Sequence, residues 1–231
     1  MPAGLQIINT HGTVLIDSSN PCLQLRAKYT ISTNSATGPN SITEIVVPNA
    51  QRPVFALRPH ANNVGMYILA VNLRPSERLV QVMRTNNVGT EAVGAVGATL
   101  YHFDVPTATS GTYGLQVFNE AGVCTFDSSG KTAVVVASAS GPGVVDSPTP
   151  APGRIFAFAD PAPYRHRLIE FEDGQSEINV SANAGVLLNG GAIRMKPGMP
   201  VIYELVPGDV GETNTYYRGR PALMTIDVTG Y

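Results

Sequence analysis

The stretch "GLQVFNEAGVCTFDSS", residues 114–129, has a near copy in "GLQIINTHGTVLIDSS", residues 4–19. Eight of the sixteen aligned positions are identical, and the two copies lie 110 positions apart. Unrelated segments of ordinary composition would share roughly one identity in such a window. The match therefore predicts an internal duplication, with one repeat in residues 1–110 and the other in residues 111–231.

Each copy has the pattern of a β-hairpin. In the second copy Leu115 and Val117 alternate with Gln116, which is the period of a half-buried strand. The turn Asn119-x-x-Gly122 follows, because asparagine can bond the nearby backbone and glycine accepts a positive φ. The first copy carries the same residue types at Leu5, Ile7, Gln6, Asn9 and Gly12.

Both hairpins end in Asp-Ser-Ser, at residues 17–19 and 127–129. Short polar side chains in this order favour a strand-ending turn that caps its own backbone. A catalytic Asp–Ser pair is the alternative, but neither copy has a histidine in its Asp-Ser-Ser turn to complete such a set.

Weaker matches continue in the same order along both halves, with an offset that shrinks as loop deletions would make it shrink. They are "SATGP" at 35–39 with "SASGP" at 138–142, "VFAL" at 54–57 with "IFAF" at 155–158, and "DVP" at 104–106 with "LVP" at 205–207. This alignment makes the Pro/Gly-rich segment 141–153 an internal loop of the second repeat, opposite residues 38–53 of the first.

Most of the remaining chain is a series of short apolar segments bounded by Gly, Pro or Asn, which predicts strands. The segments are 41–47, 65–73, 77–84, 98–105, 132–139, 166–172, 176–182, 199–206 and 222–231. Residues 77–84 could also begin a helix, but their β-branched content favours a strand. The expected fold is all-β, with two tandem β-sandwich domains. The interior is expected to contain Leu5, Ile7, Leu115, Val117, Phe55 and Phe156.

Composition narrows the range of functions. Charged residues make up 14% of the chain and the net charge is −2, so no basic surface for nucleic acid is expected. No apolar run approaches the ~20 residues that cross a bilayer, so we expect no membrane insertion. The start, Met1-Pro2-Ala3-Gly4, has no charged and apolar leader, which predicts synthesis in the cytoplasm without export.

Candidate chemical sites are few, and none is assigned as catalytic, cofactor-binding or metal-binding. Glu170 and Glu172 share a strand face before Asp173-Gly174, as a glycosidase pair or calcium site would, although an exposed acidic strand end is the simpler interpretation. His102 and Asp104 also share a strand face, where we expect a structural hydrogen-bonded pair.

Two further features concern contacts and cysteines. Tyr164, Arg165, His166 and Arg167 form a candidate contact surface or a solvated loop edge. Cys22 and Cys124 occupy non-equivalent places of the repeat, and we expect reduced, buried thiols rather than a disulfide or a zinc site.

The repeated phrase Gly-Leu-Gln-[Val/Ile]-[Phe/Ile]-Asn-x-x-Gly, running on to [Phe/Ile]-Asp-Ser-Ser, resembles small β-rich proteins of the tail tip or fibre region of siphovirus-type bacteriophages. Residues 3–19 and 113–129 carry the resemblance, and the ending 226–231 is similar to endings in that group. It implies a virion protein made in the host cytoplasm, without a cofactor or enzymatic activity. Its expected partners are other tail proteins, further copies in a trimer or hexamer, and the host surface receptor.

Four functions follow for comparison. The first is a structural tail-tip or baseplate protein, which we favour, and the second is a receptor-binding fibre protein with the same fold. An enzyme such as a depolymerase is disfavoured because no convergent catalytic set is present. A bacterial adhesin subunit is disfavoured by the missing leader.

Overall fold

The structure is a computed structural model. It describes residues 6–8, 10, 14–33, 40–61, 65–74, 76–85, 96–107, 114–140, 145–159, 165–172, 176–189, 192–207, 216–218 and 222–231. Between residues 160 and 222 it describes the backbone only.

The described residues form eighteen strands and no helix, which confirms the all-β prediction. In chain order the strands are β1 Gln6–Ile8, β2 Val14–Asp17, β3 Gln24–Thr33, β4 Asn40–Pro48, β5 Val54–Pro59, β6 Gly65–Leu73, β7 Glu77–Thr85, β8 Val96–Asp104, β9 Gln116–Phe118, β10 Cys124–Asp127, β11 Val134–Ser140, β12 Val145–Asp146, β13 Phe156–Ala159, β14 Arg165–Glu172, β15 Ser176–Asn189, β16 Ala192–Pro207, β17 Tyr216–Arg218 and β18 Ala222–Asp227. The segment at 77–84 is a strand, as predicted.

The strands form two large sheets and two separate hairpins, β1–β2 and β9–β10. One large sheet has six strands in the order β11-β18-β13-β5-β8-β3. The other has the order β12-β16-β15-β6-β7-β4, with β14 paired to β15 and β17 paired to β14. All strand pairs within both sheets are antiparallel.

The two sheets pack face to face over one apolar core. Its largest fully buried side chains include Leu57 and Leu100 from the six-stranded sheet and Met66 from the other. Val47, Val80 and Val82 extend the contribution of the second sheet. This is the layered packing of a β-sandwich.

The six-stranded sheet also closes on itself at one end. The start of β3 pairs with the segment that leads into β11, through Gln24 and Thr132. Leu25 N donates to Lys131 O at 2.8 Å, and Ala133 N donates to Leu23 O at 2.8 Å. These contacts join the two outer strands, so this end of the sheet is a small barrel in which the edges are paired.

A second apolar core lies on the inner face of this barrel. Strict alternation along each strand sends one set of side chains inward and the other toward the sandwich core. In β8, Phe103 belongs to the inner core while Leu100 belongs to the outer one. The inner set is Ala56, Tyr101, Phe103, Ala157, Ala159, Ile226 and Val228. Alanines in the adjacent strands β5 and β13 leave room for the large rings of β8.

Strands of the first half of the sequence occupy one side of each sheet, and strands of the second half occupy the other side. The six-stranded sheet places β3, β8 and β5 of the first half against β13, β18 and β11 of the second. The other sheet places β4, β7 and β6 against β15, β16 and β12. The halves of the sequence meet at the strand pairs β5–β13 and β6–β15.

Buried residues follow the prediction in part. Phe55, Phe156 and Val117 are buried, as expected, and Ile7 is half-buried. Leu115 is 44% exposed, so its predicted burial is wrong. It precedes β9, and its N–H donates to the Ser128 hydroxyl at 2.7 Å instead of entering a ladder, so the alternating pattern does not extend to it. Leu5 lies outside the described residues.

The predicted loop 141–153 contains a short strand. Within 141–153, Val145 and Asp146 pair with Met195 and Arg194 of β16, and 141–144 lie outside the described residues. The polar strand β3 and the short strand β17 were not predicted.

Candidate functional site

The hairpin turn of the second copy has the predicted chemistry. Gly122 N donates to Asn119 O at 2.9 Å, and Gly122 has φ +74°. The Asn119 side-chain oxygen accepts from Ala121 N at 3.0 Å and from Val123 N at 2.9 Å. The prediction for this turn is confirmed, while Asn9 and Gly12 of the first copy lie outside the described residues.

The Asp-Ser-Ser turn of the second copy is a cap, as predicted. Asp127 is buried, and its Oδ1 accepts from Ser129 N at 2.8 Å and from the Ser129 hydroxyl at 2.6 Å. Its Oδ2 accepts from Gln116 Nε2 at 2.9 Å. The carboxylate therefore organises the end of the hairpin, and its hydroxyl neighbour donates to it rather than being activated by it.

This hairpin is also tied to the first half of the chain. Cys22 N donates to Thr125 O at 2.8 Å, and Gln24 Nε2 donates to Asp127 O. Tyr231 lies against the same closure, since its hydroxyl donates to Thr132 O and its ring is 6.2 Å from that of Phe103. The barrel closure is thus a contact between residues far apart in sequence.

A cleft of about 210 Å³ lies at the end of β8 and is the candidate site of the described chain. It is lined by Arg26, Ala27, Tyr29, Pro48, Asn49, Gln51, His102, Asp104, Val105 and Thr107. Strand β3 supplies one wall, β8 supplies the floor, and the loop between β4 and β5 supplies the other wall. Asn49 in this loop has φ +53°, a left-handed conformation that asparagine tolerates better than most residues.

Asp104 organises the cleft by accepting hydrogen bonds from three backbone amides. Oδ2 accepts from Gln51 N at 2.7 Å, and Oδ1 accepts from Arg52 N and from Val105 N, each at 2.7 Å. His102 Nε2 lies 3.3 Å from Oδ2, and the imidazole ring stacks on Phe55 with 5.3 Å between centroids. The sequence prediction of a structural His–Asp pair is confirmed by this contact.

The charges of this pair follow from burial and hydrogen bonding. Burial alone would raise the pKa of Asp104, but the amides of Arg52, Gln51 and Val105 together with His102 hold that pKa below its usual value. Burial lowers the pKa of His102, and the opposing effect of Asp104 does not restore it. At neutral pH the pair is therefore a carboxylate and a neutral imidazole that donates through Nε2.

This arrangement is suited to holding a loop rather than to proton transfer. The carboxylate already accepts from three amides and one imidazole, so its acceptor positions are used by the protein. His102 is 4% exposed, with its Nε2 directed to Asp104 rather than toward a reacting group. Arg26, which is exposed at the rim, is the cationic side chain of the cleft lining.

The second half has a related arrangement at the end of β18. Asp227 forms an ion pair with Arg154 and accepts from Thr229 N at 2.9 Å. Thr229 Oγ1 accepts from Ile155 N at 2.8 Å. Here too a buried aspartate at a strand end fixes the segment entering the central strand, but it binds one backbone amide directly where Asp104 binds three. Burial would raise the pKa of Asp227, yet Thr229 and Arg154 keep it lowered.

The other candidates are not among the described residues that line this cleft. Glu170 and Glu172, with Arg165, His166 and Arg167, lie on β14, where only the backbone is described, and Tyr164, Asp173 and Gly174 lie outside the described residues. Cys22 and Cys124 are not joined in a disulfide, and burial raises the pKa of the Cys124 thiol. Cys124 is buried as predicted, and Cys22 is half-buried.

Sequence reasoning missed the cleft itself, because the amides of Gln51 and Arg52 reach Asp104 across some fifty positions. The Asp104-Val105-Pro106 phrase at a strand end was the available signal. Within the described ranges, no group of three His, Cys, Asp or Glu is placed to hold a metal ion. The same part of the chain contains no helix long and apolar enough to cross a membrane.

Comparison with known proteins gives no relative. No family model matches the chain, and neither the curated proteins nor the solved structures include a match to it.

Proposed function

We propose that the chain is a non-enzymatic structural component of a bacteriophage tail, located at the tail tip, baseplate or fibre region and engaged in assembly contacts. The proposal begins from the resemblance carried by residues 3–19 and 113–129. It includes the duplication of one ancestral β-sandwich unit in residues 1–110 and 111–231, whose strands lie side by side in the same two sheets.

Hydrogen-bond registers support the duplication. In β3–β8, Gln24 pairs with Asp104 and Leu25 with Phe103, and a bulge then precedes the pair Ala27–His102. In β11–β18, Val134 pairs with Asp227 and Val135 with Ile226, and a bulge precedes Ala137–Thr225. The residues of β3 and β11 differ by 110 positions, the same offset as the two hairpins.

Two unrelated strand pairs would rarely have a bulge at the same place in the register, because a bulge displaces every later residue of the ladder. The hairpins β1–β2 and β9–β10 also share a register. The pair Gln6–Asp17 corresponds to Gln116–Asp127, and in each hairpin the register shifts after the next pair. Under this duplication the registers align Asp227 with Asp104. This alignment would replace the sequence match of 104–106 with 205–207, since 205–207 lie in β16 of the other sheet.

Exposed apolar side chains, most of them on the outer strands β4 and β11 and on the hairpin β9–β10, are the observation that carries the assembly role. A β-rich protein without partners normally covers or charges such positions. The exposed set is Ile42, Val46, Val71, Leu115, Phe118, Val123, Val134, Val135, Val136 and Ile155. Repeated assembly around a tail axis would bury them.

Quantitative mass spectrometry of purified particles tests this proposal. The phage that encodes the chain should contain it at a copy number matching tail symmetry, a trimer or a hexamer. Its absence from intact particles, measured beside a known minor tail protein as a detection control, would overturn the proposal.

The alternative is a receptor-binding or fibre protein that contacts the host surface. The exposed tip of hairpin β9–β10 favours it, because Phe118 is 44% and Val123 is 51% exposed beside the turn. Purified protein at saturating concentration should then block adsorption of the phage, and Phe118→Ser should reduce this blocking. Unchanged adsorption would leave the structural role alone.

A further inference from the structure

Strand β11 is an outer strand with an uncovered apolar surface. It pairs with β18 along one edge from Val134 to Ser140. On its other edge, the pairing that closes the barrel is made by Thr132, which precedes β11. No described strand pairs with β11 itself on that edge. Val134, Val135 and Val136 are 50%, 50% and 41% exposed.

The counterpart strand β3 is protected in a way that β11 is not. The shared register aligns Val136 with Arg26 and Ser138 with Lys28, and both basic residues are exposed. Exposed charges on an outer strand oppose pairing with another strand. The stretch "TAVVVASAS", residues 132–140, contains no charged residue.

We infer that β11 is a pairing edge, and that its partner is β11 of a second copy of this chain in an antiparallel two-fold arrangement. An antiparallel pair of identical strands is self-complementary, because a residue i that contacts residue j of the second copy is matched by residue j contacting residue i. Pairing β11 with itself brings no like charges together and adds contacts between β-branched side chains across the strands. Pairing β3 with itself would bring Arg26 and Lys28 of two copies close together. This inference stands on the edge of β11 and does not depend on the phage role, although of the two proposed copy numbers only the hexamer accommodates two-fold pairs.

The test is sedimentation equilibrium of the purified full chain over a wide range of concentrations. The native chain should form a dimer. Val136→Arg combined with Ser138→Lys gives β11 the charges that β3 carries at equivalent positions, so the fold should accept them. We expect this variant to dimerise about tenfold more weakly or worse.

Val46→Arg is the matched control, because Val46 is 46% exposed on the outer strand β4 of the other sheet. It should dimerise as the native chain does. Hydrogen exchange provides a second measurement, in which amides of 136–140 in the native chain become protected as concentration rises. A native chain that stays monomeric, or a dimer that Val46→Arg weakens and the β11 variant does not, would overturn the inference.

Discussion

Replacing Asp104 by asparagine should destabilise the fold more than any other single carboxylate-to-amide change among the described residues. The side chain accepts from Gln51 N, Arg52 N and Val105 N at 2.7 Å each. An amide keeps one acceptor oxygen and turns an NH₂ group toward at least one of these donors. Hydrogen bonds to a charged group contribute about 1.5–3 kcal/mol each, so the loss of one bond, with weakening of the others, should cost about 2–4 kcal/mol.

Urea unfolding followed by circular dichroism measures this cost at neutral pH. The matched control is Asp227→Asn, because Asp227 accepts from the single backbone amide of Thr229 and from Arg154, whose side chain is 58% exposed. We expect the control to lose only about 1 kcal/mol, since it affects one backbone amide and an arginine whose side chain is largely in solvent. Equal losses in the two variants, or a loss below about 1 kcal/mol for Asp104→Asn, would refute the reasoning.

The acid limb of the stability profile provides an independent check on Asp104. Its folded pKa lies below the ordinary value of 3.8, so its contribution is present above that pH and is lost as the pH falls through the lowered pKa. The native chain should therefore lose stability in acid more steeply than Asp104→Asn, whose amide does not titrate. Parallel acid limbs would show that the carboxylate is not held in its charged form by the fold.

Three further outcomes are expected. Gly122→Val should destabilise by about 1–3 kcal/mol in urea unfolding, because the added Cβ meets no atom but a β-branched residue is strained at φ +74°, whereas Ala121→Val should change little. Thr225→Val should raise the midpoint of thermal unfolding, because Thr225 Oγ1 is the one buried side-chain oxygen or nitrogen without a hydrogen-bond partner in the described chain, and valine has the same shape; a lower midpoint would contradict this. Burial lowers the folded pKa of His102, so its contribution to stability should be present above pH 6.5 and decline as the pH falls below it. The urea midpoint should therefore fall less between mildly alkaline and mildly acidic buffer in His102→Gln than in the native chain. An equal fall in the two proteins would contradict this.

The sequence was most informative where the structure is local. The turn from Asn119 to Gly122 and the cap on Asp127 use partners within a few residues, and both were predictable from residue type. Strand type was predictable from period and boundaries, as in β6 at 65–73. These features depend on turn chemistry and side-chain alternation, which a single sequence displays.

The missed features depend on pairing between distant residues. Gln24 meets Thr132 to close the barrel, and Gln51 meets Asp104 to form the cleft. Backbone amides form the contacts at both the barrel closure and the cleft. Every residue except proline has a backbone amide, so residue types in the sequence do not reveal these contacts. Strand β3 was missed for a related reason, since its exposed Arg26 and Lys28 give it the composition of a loop.

Under the proposed duplication, the two repeats differ at corresponding positions in the cleft and on the outer strand. The first repeat has the cleft, with His102 paired to Asp104, and a charged outer strand β3. The second has Thr225 and Val136 at the places of His102 and Arg26, together with a simpler Asp227 cluster. Selection for stability alone would not favour an outer strand with three exposed valines, because it invites association. Such a strand persists where association is useful, and the charged strand persists where it must be prevented. If β11 is the pairing edge that we infer, its contact with a second copy lies in the second repeat, at the strand whose counterpart in the first repeat carries Arg26 and Lys28.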